Sequence, residues 1–106
     1  MQHEAHLNFV QAVIGEAIRE RRLISGTYNS RRLTLAPHQI ILRNDAFYLG
    51  AVNPSKARRH DEEPSLGYFK IDGLTDVKIT PENFEAIAPD AMTPTRDGDR
   101  VIVTLD

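Results

Sequence analysis

The sequence predicts an α+β protein, mainly β: one N-terminal helix packed on a small antiparallel barrel, with a short helix and a final strand at the C-terminus. Three observations carry that expectation. Leu7, Val10, Val13, Ile14, Ala17 and Ile18 recur at spacings of three and four, which puts them on one stripe of a helix. After Arg22 the period switches from 3.6 to two, the alternation of half-buried strands, in runs that reach about residue 80. Arg100 to Leu105 then forms a run of high β propensity behind a proline-containing stretch.

A chain of 106 residues has room for one hydrophobic core. The helix (residues 1–22), the barrel (23–80) and the closing segment (81–106) are therefore read as parts of one domain. A hydrophobic fraction of 41% with 26% charged residues is near the globular average and argues against wholesale disorder. The absence of cysteine excludes a disulfide framework or a thiolate metal site and fits a reducing compartment. No basic stretch followed by an apolar run opens the chain, and no apolar segment approaches the ~20 residues of a membrane helix. The net charge of −2 gives no bulk attraction to nucleic acid, so such binding needs a local basic patch. The expectation is a cytoplasmic domain without membrane contact and without cofactor.

The helix is expected over about residues 5–22, with Arg19, Arg21 and Arg22 in its last turns, where cations favour the negative end of the dipole. Strands follow around turn signals at Asn29-Ser30, Asn44-Asp45 and Asp72-Gly73. Pro37 cannot donate to a ladder, so it marks a bulge, bend or edge within the second strand, as a barrel corner needs. Residues 53–65 read as an exposed loop. In it, Lys56, Arg58, Arg59 and His60 are neutralised by Asp61, Glu62 and Glu63. Thr80-Pro81-Glu82 has the pattern of a helix start, a hydroxyl cap then proline then an acid, for a short helix to residue 86 or 87. Residues 88–99 read as a linker.

From Ala17 to Leu74 the chain resembles a WYL domain, a family named for a Trp-Tyr-Leu triplet that stands here as Phe47-Tyr48-Leu49. A helix ending in Arg19-Glu20-Arg21-Arg22 leads into a strand closed by Tyr28. The turn residues Arg31-Arg32 precede Pro37-His38 and an apolar run, and an aromatic strand ends in Phe69-Lys70-Ile71-Asp72. The resemblance implies an SH3-like or Sm-like barrel behind a helix. It also implies a bacterial regulatory setting, often transcriptional, and a single-stranded nucleic acid or nucleotide-like ligand. Where the family carries an arginine two residues before the phenylalanine and another after the aspartate, this chain has Gly67 and Gly73. The usual anionic pocket is thus partly dismantled.

The candidate ligand-binding residues are Tyr28, Arg31, Arg32, His38, Tyr48 and Lys70. Arg31 and Arg32 suit phosphates, although charged turn residues are more often simply solvated. His38 is either a donor to an anion or a core histidine satisfied by a backbone carbonyl. Tyr28 and Tyr48 suit base stacking, against the alternative of ring burial with the hydroxyl at the surface. Phe47 and Leu49 share one strand face, expected inside, and Tyr48 takes the other. His3 and His6 lack further ligands and are read as terminal residues, with no metal expected. No nucleophile elbow, phosphate-binding glycine loop or zinc-binding histidine pair is present, so no catalysis is expected.

Two functions stay open. One is a ligand-sensing module for single-stranded nucleic acid or a nucleotide. The other is a structural or protein-interaction domain with a decayed pocket, a homodimer joined by the C-terminal strand or the apolar helix stripe.

Overall fold

The computed structural model describes the backbone of residues 2–54, 66–88 and 98–105, and their side chains from Asn8 onward. Helix α1 spans Gln2–Glu20, beginning three residues before the expected start and ending two before the expected end. Among the described residues six strands follow: β1 Arg22–Tyr28, β2 Arg31–Arg43, β3 Ala46–Val52, β4 Gly67–Lys70, β5 Leu74–Asn83 and β6 Arg100–Thr104. They form an antiparallel sheet of order β4-β3-β2-β1-β5, with β6 added to β2. A 3-10 turn, Ile71–Gly73, links β4 to β5. No ladder joins those two strands among the described residues, and the arrangement is compatible with a small barrel-like fold.

The hairpin turns follow from their residues. Asn29 and Ser30 have φ of 50° and 64°, and Asn44 and Asp45 have 49° and 62°. Both connections hold two residues, with Tyr28 opposite Arg31 and Arg43 opposite Ala46. Two consecutive left-handed residues give a hairpin whose twist matches that of its strands. Asn and Asp tolerate this conformation better than most residues.

The long strand β2 bends in the middle. Its register with β3 slips between Pro37 and Gln39, so His38 is the extra residue of a bulge. Before the bend, residues 31–35 pair with β1; after it, residues 39–42 pair with β6. β3 occupies the opposite edge along residues 36–43. Strands β1 and β6 therefore share one edge of β2, on either side of the bend.

The stripe of α1 is consumed inside. Val10, Ile14, Ala17 and Ile18 are buried together with Ile24, Leu35, Ile40, Leu49, Ile71 and Leu74. A second, smaller cluster of Ala36, Val52 and Leu66 is covered by Leu23, Tyr68, Phe84 and Ile87. Register puts Phe47 opposite Leu42 and Leu49 opposite Ile40, and Tyr48 opposite Ile41 on the other face. Leu49 is fully buried, while Phe47 and Tyr48 are both half-buried, Phe47 packing against the main core.

The short helix expected from Thr80 to residue 87 is not found. Strand β5 runs on to Asn83, and residues 84–88 have no regular structure. The Thr80 hydroxyl does accept the Glu82 N–H, at 3.2 Å, so the capping contact forms without a helix behind it. Pro81 falls in a register irregularity opposite β1, where a missing N–H is tolerated. The strand prevails because its end has partners. Asn83 Nδ2 donates to the Glu20 and Arg21 carbonyls at 3.1 and 3.2 Å, and the Phe84 N–H donates to the Arg21 carbonyl at 2.9 Å. These bonds satisfy carbonyls that the end of α1 would otherwise leave open. The basic loop at residues 56–60, its acidic sequel and most of the expected linker lie outside the described residues.

Leu49→Ala is expected to cost about 3 kcal/mol, read as a lower urea midpoint with unchanged slope. Phe47→Leu, at a half-buried position, is expected to cost less than about 1.5 kcal/mol.

Candidate functional site

The six candidate residues do not converge on one site. Arg31 and Arg32 are neighbours on a strand and point to opposite faces. Arg32 is engaged: its guanidinium meets Asp76 Oδ2 at 2.9 Å, Ser25 Oγ at 3.2 Å and Thr27 Oγ1 at 3.3 Å. Arg31 is exposed, opposite Tyr28, and has no ion pair among the described residues. The Tyr28 ring packs edge-on against Phe69, and its hydroxyl accepts the Lys70 N–H at 3.3 Å. A Cβ at Gly73 would come within 3.0 Å of the same ring. A side chain at that position would therefore meet the Tyr28 ring. At Gly67 a Cβ would make only ordinary contact.

His38, the bulge residue, is fully buried. Its Nδ1–H donates to the Ala36 carbonyl at 2.9 Å, and Nε2 accepts the Ile87 N–H at 3.2 Å. These partners assign the neutral Nδ1-protonated tautomer. The ring also lies 5.1 Å from Phe84. Burial pushes its pKa below the ordinary value of 6.5, helped by the positive charge of Arg21 and opposed by the bond to Ala36. A histidine so placed has no lone pair or proton left for a ligand.

Tyr48 and Lys70 lie opposite one another on β3 and β4. Beside them stands a polar cluster that sequence reading does not reveal. Arg43 makes a two-pronged bond to Asp99, Nε to Oδ1 and Nη2 to Oδ2, both at 2.8 Å. The side chains are 13% and 1% exposed. The guanidinium sits 5.5 Å from the centre of the Tyr48 ring and 5.0 Å from that of Tyr68, within cation–π range. The Tyr68 hydroxyl donates to Gln39 Oε1 at 2.7 Å. Burial raises the Tyr68 pKa, so the phenol stays a donor. Gly50 makes this meeting possible, since a Cβ there would fall 2.8 Å from Gln39 Cγ.

This cluster is a clamp. Asp99 immediately precedes β6, and Arg43 ends β2, so the ion pair holds the start of β6 on the sheet. Its one guanidinium is already neutralised by a buried carboxylate, which leaves little attraction for an anion. The farther end of β6 is held by the Leu105 N–H, which donates to the His38 carbonyl at 2.8 Å. The pairing spans 56 residues in sequence, and no local pattern announces it.

Among the described residues no group of three or more histidines and acids is placed to hold a metal, and no helix is long and apolar enough to cross a membrane. Compared with known proteins, the chain matches no family model and no curated sequence.

Three outcomes follow from this geometry. Asp99→Ala, which strands a largely buried arginine, is expected to cost about 3 kcal/mol or more. Asp76→Ala breaks a pair whose side chains are 49% and 59% exposed and is expected to cost less than about 1 kcal/mol. Chemical denaturation of both variants checks the contrast. His38 binds its proton more weakly folded than unfolded, so its contribution to stability is present above 6.5 and is lost as pH falls through the lowered folded value. Melting temperature is thus expected to fall on acidification below about 6.5, with a shallower fall in His38→Gln.

Proposed function

We propose that this chain is a non-catalytic cytoplasmic module of the WYL type, a helix on an SH3-like or Sm-like barrel, that works by associating with a second copy of itself. One observation carries the reading: β6 presents Val101 and Ile102, 48% and 45% exposed, on a strand paired only with β2 among the described residues. The register of β6 slips between Val101 and Val103, so Ile102 is a bulge residue turned toward solvent. A bulge discourages open-ended ladder growth. Contact through these two side chains then favours a closed, two-fold pair over a fibre. Of the helix stripe named as the other candidate interface, Val10, Ile14, Ala17 and Ile18 are spent in the core, which favours β6. The buried clamp at Asp99 fixes the strand in place for contact, so little ordering cost remains at association.

A ligand-sensing reading keeps one specific support. Arg31, opposite Tyr28, and Lys70 are exposed cations, the residue type that an anionic nucleotide or single strand would use.

Light scattering at micromolar concentration is expected to give a dimer mass. The pair Val101→Lys and Ile102→Lys is expected to give a monomer with an unchanged circular dichroism spectrum. A wild-type monomer, or a dimer indifferent to both changes, overturns the self-association reading. If Arg31→Gln with Lys70→Gln abolishes a salt-dependent affinity for oligonucleotides, the sensing reading takes its place.

A further inference from the structure

Past the end of β5, residues 84–88 run along the second apolar cluster as a strap without regular structure. Its near end is tied to the end of α1, through the bonds of Asn83 and Phe84 to the Glu20 and Arg21 carbonyls. Beyond Phe84, one hydrogen bond holds residues 85–88 among the described residues. It runs from the Ile87 N–H to Nε2 of His38, at 3.2 Å. Phe84 and Ile87 pack on Ala36 and Val52, yet a groove of about 260 Å³ is lined by these same residues and Leu23. Contacts across such a gap are partly forfeited, so apolar packing by itself holds the strap weakly. Its attachment turns on one acceptor.

That acceptor can be titrated. In the neutral ring, Nδ1–H donates to the Ala36 carbonyl at 2.9 Å, and the lone pair of Nε2 is filled by the Ile87 N–H. A proton added at Nε2 turns this acceptor into a donor that faces another donor. The Ala36 bond survives and tightens, because a charged donor bonds more strongly. The Ile87 bond cannot survive, and a buried cation left without an acceptor at Nε2 is costly. The charged neighbours leave this exchange as it is. Arg21, at the end of α1, opposes the added charge, and Arg22, on β1, is paired with Glu20 at 3.3 Å. β3 brings uncharged Val52 and Ala51 opposite Ala36 and Pro37. Tyr68, on β4, covers the same cluster and has its pKa raised, so it stays neutral in acid. Glu85 belongs to the strap and lines the groove. The charged residues of 55–65 and 89–97, and Asp106 after Leu105, lie outside the described residues. A charge there moves the pH at which Nε2 is protonated, not the loss of the acceptor.

We propose that His38 is an acid-sensitive latch: protonation at Nε2 releases residues 84–88 from the second apolar cluster, while α1 and strands β1–β3 stay folded. The two clusters allow this separation. The buried residues of the main core, from Val10 to Val77, include none of the strap, and β5 stays anchored to α1 through Asn83. Release uncovers Ala36 and Val52, an apolar surface presented in acid and covered at neutral pH.

The test is an NMR titration of the full chain from about pH 7.5 to about pH 4.5. The His38 ring signals are expected to titrate with a midpoint below 6.5, and the amides of residues 84–88, Ala36 and Val52 to shift with the same midpoint. Amide order parameters of residues 85–88 are expected to fall below about 0.6, while those of α1 and β2 stay near about 0.85. His38→Gln is expected to abolish the transition and Glu85→Gln to keep it. Ile87→Pro, which removes the N–H, is expected to release the strap already at neutral pH. Ile87→Ala, which keeps the N–H, is expected to keep the strap in place until acid is added. Should His38→Gln not fold, the wild type and the two Ile87 variants decide. Strap amides indifferent to the His38 midpoint, or loss of α1 and β2 order at that midpoint, overturns the proposal. So does a transition that persists in His38→Gln or vanishes in Glu85→Gln, or equal behaviour of Ile87→Pro and Ile87→Ala.

Discussion

The bulge at His38 is the point on which the other contacts hang. Pro37 brings no N–H to the ladder, and the extra residue behind it bends β2, so that one edge of the strand serves β1 below the bend and β6 above it. A bulge residue has backbone groups that the ladder does not satisfy, and burial makes leaving them open costly. The carbonyl of His38 is answered from the C-terminal half. The His38 carbonyl takes the Leu105 N–H, and the ring takes the Ile87 N–H while donating to Ala36. The bend and the folding back of the C-terminal segments are thus one event. Neither the second apolar cluster nor the seat of β6 would exist on a straight β2.

The charges tell a consistent story. Arg43 is sunk between two tyrosines against a buried carboxylate, Arg32 is tied across the sheet to Asp76, and His38 is held neutral. These charged and polar groups are joined to one another. A buried, two-pronged arginine–carboxylate pair adds geometric specificity more surely than it adds net stability. Its use in this chain is to fix where β6 begins.

Much of the fold could be read from the residues because it is local. The helix stripe from Val10 to Ile18, the two-residue turns at Asn29-Ser30 and Asn44-Asp45, and the alternation that puts Leu49 inside depend on periodicity and turn chemistry. Pro37 announced a bend for the same reason. The helix expected after Thr80 failed because its signals, a hydroxyl, a proline and an acid, also suit a strand end. There, the open carbonyls of α1 offered Asn83 and Phe84 partners that an isolated helix turn could not match. The site was less legible. Arg43 reads as an ordinary residue before a turn and Asp99 as part of a linker, and only the tertiary fold joins them. For His38 the two readings, ligand donor and carbonyl-satisfied ring, depend on burial, which local pattern does not give.

We propose that β6, pinned at Asp99 and at Leu105, presents the side left unpaired among the described residues to a second copy of the chain. Amide hydrogen exchange measured residue by residue at rising protein concentration tests it most directly. The account predicts that Val101, Ile102 and Val103 exchange more slowly as concentration rises, while the amides of α1 and β2 keep their rates. Exchange in β6 that does not depend on concentration would contradict it.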